Sequence, residues 1–212
     1  MDEKTLASYI DHTLLRADAT EEDIRKLCLE ADRFGFKAVC VNPLWVAFAR
    51  EHTKAKVCTV VGFPLGATPL ELKEKEAAYC VRAGADEIDM VINLAYVKSG
   101  DYAALKDEIA GVVQASAPAI VKVILETPLL LKEEKVLAAQ AAAEAGAHFV
   151  KTCTGFQGGA TLEDVLLLKE AVQGGCLVKA SGGIRTREEA ISFINAGASR
   201  LGTSSGVKIV CP

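Results

Sequence analysis

A small triplet recurs along this chain, at Ala83-Gly84-Ala85, Ala145-Gly146-Ala147 and Ala196-Gly197-Ala198. Each copy follows an alanine- or charge-rich stretch with helical character and precedes a short apolar run. Glycine at that point is the expected left-handed helix stop, because it has no Cβ to clash. Gly35 and Gly174 hold equivalent places. The repeating unit is therefore helix, glycine, strand, and a repeat of that kind restricts the chain to few architectures.

The apolar runs predict strands near 9–12, 36–42, 57–62, 87–92, 119–126, 148–153, 176–181 and 199–203. Helical patterns fall between them, near 20–34, 43–51, 69–83, 101–115, 129–145, 161–173 and 186–196. Thr20, followed by Glu21-Glu22-Asp23, reads as an N-cap with acids in the first turn, and Thr161 and Thr186 look similar. Pro43 and Pro69 suit a first helical position. Strands alternating with helices imply parallel pairing and right-handed crossovers. That leaves an open doubly wound sheet or a closed barrel. Eight units in 212 residues leave about 26 residues each, the compact end of the barrel range. No linker or composition shift divides the chain. The expectation is α/β: a single (β/α)8 TIM barrel over residues 1–212, with eight parallel strands and a last helix that is short or truncated.

Three of the strands carry a buried-looking lysine in the same context: Val121-Lys122-Val123, Val150-Lys151-Thr152 and Val178-Lys179-Ala180, at nearly equal intervals. Lysine is among the residues least often buried, so three in parallel strands carry a large local cost. If all three face the barrel interior at matching heights, desolvation and mutual repulsion favour the free amine. That points to amine nucleophile chemistry. Asp89 interrupts the apolar run Ile88-Asp89-Met90-Val91, Asp11 holds a similar place on strand 1, and Glu126 ends strand 5. Each is an ion-pair partner or a proton carrier. Two other readings stay open: the lysine–acid pairs are purely structural, or the lysines face outward between helices.

Three glycine-rich turns follow the last strands: Thr154-Gly155-Phe156, Ser181-Gly182-Gly183-Ile184-Arg185 and Gly202-Thr203-Ser204-Ser205-Gly206. Exposed N–H groups in such turns bind anions, and barrels often hold phosphate after strands 7 and 8. They are otherwise ordinary tight turns. Gly62-Phe63-Pro64-Leu65-Gly66 is a rigid turn that shapes the mouth, while Trp45 and Phe48 fill the helix–barrel layer and His148 is structural.

The formal charge of −4 argues against a general nucleic-acid binder. No apolar run is long enough for a membrane span, and Met1-Asp2-Glu3-Lys4 lacks a signal-peptide core. A cytoplasmic protein is expected. Its seven cysteines and three histidines look scattered, which suggests neither a disulfide framework nor a metal.

Jointly these segments resemble the deoxyribose-phosphate aldolases. The resemblance rests on Ile10-Asp11-His12-Thr13-Leu14-Leu15, Val60-Val61-Gly62-Phe63-Pro64-Leu65-Gly66, Gly84-Ala85-Asp86-Glu87-Ile88-Asp89-Met90-Val91 and Lys122-Val123-Ile124-Leu125-Glu126-Thr127. It continues through Val150-Lys151-Thr152-Cys153-Thr154-Gly155-Phe156, Lys179-Ala180-Ser181-Gly182-Gly183-Ile184-Arg185 and Leu201-Gly202-Thr203-Ser204-Ser205-Gly206. It implies a class I aldolase without cofactor or metal, cleaving 2-deoxy-D-ribose 5-phosphate reversibly. On that resemblance Lys151 is the Schiff-base lysine, Lys179 the lysine that lowers its pKa, and Asp89 the acid that shuttles protons with Lys179. Gly155, Gly182, Gly183, Gly202, Ser204 and Ser205 match phosphate contacts, and Arg185 is a further candidate. Lys122, Asp11, Thr13 and Thr152 are expected to support the site. The resemblance also implies a homodimer or homotetramer acting on a small sugar phosphate.

The chain departs from the family pattern at Cys153, usually serine, and Pro128, often glycine. It also stops soon after strand 8, where many relatives continue with a closing tail. Two rival readings remain at this point. One is another phosphate-binding barrel with lysine imine chemistry, transaldolase-like or thiazole-synthase-like. The other is a sugar-phosphate binding barrel with a disabled site.

Overall fold

The computed structural model describes residues 1–211; Pro212 lies outside the described residues. Eight strands form a closed barrel in chain order, every neighbouring pair parallel. They are β1 (Ile10–Leu14), β2 (Ala38–Val41), β3 (Lys56–Val61), β4 (Glu87–Val91), β5 (Ile120–Ile124), β6 (Phe149–Lys151), β7 (Leu177–Ser181) and β8 (Arg200–Thr203). Among the described residues ten helices accompany them: α1 (Glu3–Ala7), α2 (Glu21–Phe34), α3 (Val46–His52), α4 (Leu70–Arg82), α5 (Leu94–Lys98), α6 (Tyr102–Ser116), α7 (Lys132–Glu144), α8 (Leu162–Ala171), α9 (Arg187–Asn195) and α10 (Gly206–Val210).

Local chemistry sets the starts and stops. Thr20 caps α2 in a reciprocal box with Asp23, and Thr186 caps α9 in the same way with Glu189. Thr161 accepts from the Asp164 N–H at the start of α8. Gly35 ends α2 at φ 71°, in the left-handed conformation that the repeat predicts. Pro43 opens a 3-10 turn (Pro43–Trp45) ahead of α3, so the pattern near 43–51 divides in two. Helices α1 and α5 have no counterpart among the expected elements. Each is five residues long, less than two turns, too short to show a helical period.

The strands alternate between two environments. Outward residues such as Ile88, Met90, Val121, Val123, Val150, Val178 and Ala180 join the core between barrel and helices. The inward residues split into two regions. Ala38, Cys40, Cys58 and Val60 of β2 and β3 form a small apolar patch, with Leu15 and Phe63 against it. The ionic region abuts it through Cys58 and is built from Asp11, Glu87, Asp89, Lys122, Lys151, Lys179 and Arg200, all buried. Phase on the strand produces this division: one residue of slip would turn the lysines into the apolar layer. No helix among the described residues is long and apolar enough to cross a membrane.

Candidate active site

Asp89 is the hub of the lumen. Its Oδ2 accepts from Lys151 Nζ at 2.8 Å and from Lys179 Nζ at 2.7 Å, and its Oδ1 accepts from Lys122 Nζ at 2.8 Å. Lys179 also donates to Asp11 Oδ2 at 2.5 Å. Lys122 also pairs with Glu87 at 2.6 Å. Arg200 closes the circuit, bridging Asp11 Oδ1 at 2.6 Å and Glu87 Oε2 at 2.9 Å. Glu87 and Arg200 open their strands, where a sequence shows only ordinary surface charge; closure of the barrel turns both inward.

The three lysines do not stand at one height, contrary to the expectation from their equal spacing. Lys151 and Lys179 are register partners, but Lys122 pairs with Phe149 and Ile124 with Lys151. Lys122 is therefore two residues deeper. Nor does mutual repulsion decide the charge. Burial opposes the Lys179 ammonium, yet the carboxylates of Asp11 and Asp89 outweigh it and raise its pKa. Burial likewise opposes the Lys122 ammonium, and Asp89 leads the groups that hold its pKa well above the usual lysine range. Burial would raise the Asp89 pKa, but Lys122, Lys151 and Lys179 together carry it well below the usual carboxylate range. The ammonium form is thus favoured for both Lys122 and Lys179.

A cavity of about 580 Å³ opens at the carboxyl ends of the strands. Of the three strand lysines, Lys151 lines it, while Lys122 and Lys179 do not. That difference separates Lys151 from Lys179, which local sequence cannot do. Thr13, Gly155, Gly182, Gly183, Arg185, Gly202 and Ser204 line the same cavity. So do Arg16, Thr154 and Phe156, which residue type alone does not single out. The buried Asp11, Asp89, Lys122 and Lys179 lie beneath the lining, and Ser205 and Thr152 are also off it. Ser205 precedes α10, its N–H bound to Thr203 Oγ1. The Thr152 hydroxyl is fully buried, donating to Ser181 O and accepting from Ser181 N–H, both at 3.0 Å; it pins β6 to β7.

The turn glycines are required by geometry. Gly182 has φ 92°, and a Cβ there would lie 2.8 Å from Cys153 Sγ and 3.0 Å from Gly158 O. Gly202 leaves room for Lys179: a Cβ would come within 3.1 Å of its Cε. Gly182→Ala should therefore cost about 2 kcal/mol of stability through strain and overpacking, read as a lowered thermal midpoint. An unchanged midpoint would show that the cradle yields. Cys153 sits behind the cradle, its thiol donating to Ser181 O at 2.8 Å, and burial pushes its pKa up. It packs there as filler in place of a hydroxyl.

Cysteines scattered in the sequence do meet. Cys40 and Cys58 are register partners, and their sulfurs lie with an Asp89 oxygen within 4.8 Å of one another. Asp11, Cys58 and Glu87 form a second such group. The carboxylates of both groups are already engaged by lysine or arginine, which disfavours a further cation.

A parallel barrel with a cavity-facing lysine, a second lysine held cationic behind it and a shared carboxylate has the parts of an imine-forming carbon–carbon lyase. The DeoC/LacD family aldolase model matches residues 5–210. A deoxyribose-phosphate aldolase of Clostridium kluyveri is 55% identical, covering 99% of both chains. One from Brevibacillus brevis is 54% identical over 95% of this chain and 93% of its own. Among solved structures, a tetrameric deoxyribose phosphate aldolase from Aeropyrum pernix superposes with a TM-score of 0.92 at 40% identity, covering 99% and 91% of the two chains. The chain belongs to the DeoC/LacD aldolase family.

Proposed function

We propose that this chain cleaves 2-deoxy-D-ribose 5-phosphate reversibly to D-glyceraldehyde 3-phosphate and acetaldehyde through an imine on Lys151. One observation carries the assignment of roles: Lys151 and Lys179 share one oxygen of Asp89, and Lys151 is the one that faces the cavity. Lys179 donates to the same Asp89 oxygen, so a second amine stands directly beside the nucleophile. The Lys151 amine adds to C1 of the open-chain sugar, and loss of water leaves a protonated imine. A base removes the C3 hydroxyl proton, the C2–C3 bond breaks, and its electrons move into an enamine. C3 leaves as the aldehyde of glyceraldehyde 3-phosphate. Protonation of the enamine at C2 and hydrolysis then release acetaldehyde and free Lys151. Asp89 and Lys179 are the acid–base pair for these transfers, since both stand beside the nitrogen and together hold an exchangeable proton.

The phosphate is assigned to the turns of Gly155, Gly182, Gly183, Gly202 and Ser204, which line the cavity together with Arg185. Lys122 and Asp11 support the site from below by holding the ion network, and Thr13, on the lining, donates to Asp11 O at 2.9 Å. The enzyme is a cytoplasmic single-domain protein that works as a homodimer or homotetramer. The free thiols fit a reducing compartment.

The test is a coupled assay for glyceraldehyde 3-phosphate with EDTA present. Turnover in the presence of the chelator, with acetaldehyde formed in equal amount, is the expected result. No acetaldehyde at saturating sugar phosphate would sink the reading.

A further inference from the structure

Glu126 is a buried acid that this mechanism does not use. It follows β5, is 1% exposed, and adopts the left-handed conformation at φ 57° and ψ 56°. A residue with a Cβ is strained there, so a compensating interaction is expected. Its carboxylate supplies one. Oε1 accepts from the Thr154 N–H at 3.1 Å, and Oε2 accepts from the Thr154 hydroxyl at 2.6 Å. The Thr154 oxygen in turn accepts from the Phe156 N–H at 3.1 Å. Both carboxylate oxygens are therefore engaged by one residue of one loop.

The neighbouring backbone grips the same segment. Leu125 N–H donates to Lys151 O at 3.0 Å, and Thr127 N–H donates to Thr152 O at 2.9 Å. Three consecutive residues after β5 thus hold the chain from Lys151 to Thr154. Pro128 braces the loop further on: a Cβ at Gly158 would lie 2.9 Å from its ring. The held segment leads directly into Gly155 and Phe156, which line the cavity with Thr154. A Cβ at Gly155 would be 3.6 Å from the Gly182 Cα, so this loop faces the cradle after β7.

We propose that Glu126 is a positioning residue that sets the β6 loop against the phosphate cradle, and so governs preference for phosphorylated over unphosphorylated sugars. The proposal rests on the aldolase reading above. Its carboxylate orients the Thr154–Phe156 turn through hydrogen bonds to a charged acceptor, the stronger kind. The left-handed backbone directs that carboxylate at the turn.

The experiment compares wild type, Glu126→Gly and Glu126→Gln on 2-deoxyribose 5-phosphate and on 2-deoxyribose. Glycine accepts the left-handed backbone, so Glu126→Gly removes the side chain without adding strain. The expected result is a KM for the phosphorylated sugar raised about tenfold or more. Its kcat, and kcat/KM for 2-deoxyribose, should stay within about twofold. Glu126→Gln, whose amide oxygen still accepts the Thr154 N–H, should recover most of the KM. Equal losses on both sugars, a fall in kcat alone, or no change on either would overturn the proposal. If Glu126→Gly does not fold, Thr154→Val must show the same split between sugars, and its absence is equally fatal. Wild type inactive on the sugar phosphate would instead refute the aldolase reading, so the two failures are distinguishable.

Discussion

Lys151→Ala should lower kcat/KM for 2-deoxyribose 5-phosphate by at least about 10⁴-fold, because the covalent route disappears. Borohydride added with substrate should increase the mass of the wild-type chain by the reduced adduct and leave the variant unchanged. Stability should suffer little by comparison. Lys151 lies at the cavity, and Asp89 keeps Lys122 and Lys179 when it is gone. An adduct that still forms in Lys151→Ala places the imine on another lysine. Trapping on Lys179 in the wild type would contradict the geometry, because that nitrogen is held cationic between two carboxylates.

Lys179→Leu should have the second-largest effect, and it acts on two levels. On activity, loss of the proton carrier and of the neighbouring cation should lower kcat by about 10²- to 10³-fold. The pH profile of kcat/KM should also change, since the proton carrier that shares an Asp89 oxygen with the nucleophile is gone. An unchanged profile would remove Lys179 from that role. On stability, Asp11 keeps Arg200 and Asp89 keeps Lys122 and Lys151, but both lose a buried partner. Breaking a buried pair costs about 3–5 kcal/mol, and the surviving cations place this variant at the lower end. The sign with pH follows from the raised Lys179 pKa. Its contribution is fully present below the unfolded lysine value near 10.4. It is lost as pH rises through the folded value. The gap between wild type and variant should therefore narrow only in strong alkali, read by chemical denaturation across pH.

Much of this architecture is legible in the order of the residues. Lys122, Lys151 and Lys179 each follow a strand valine, so strand phase alone gives the three one common face, and the structure packs the valines outward and turns that face into the lumen. The glycine stops mark helix ends because only a residue without Cβ adopts that turn readily. Other features leave no local trace. Val150-Lys151 and Val178-Lys179 have the same immediate context, and nothing in it says which amine meets the cavity. Equal spacing suggests equal heights, but register depends on how the strands stagger around the barrel. Cys40 and Cys58 look unrelated until β2 and β3 align them. Glu126 reads as one acid among several, since its left-handed backbone and its grip on Thr154 depend on loops from two different strands.

The amino-acid order by itself determined the repeating unit, the common phase of the lysines and the glycine turns, because those follow from periods of two and 3.6 residues and from the sterics of single residues. Only the tertiary structure decided which carboxylate neutralises which cation. Closing β8 onto β1 brings Asp11 to Lys179 across 168 residues and to Arg200 across 189. Charge pairing in a lumen depends on distance through space, and that distance exists only once the barrel has closed.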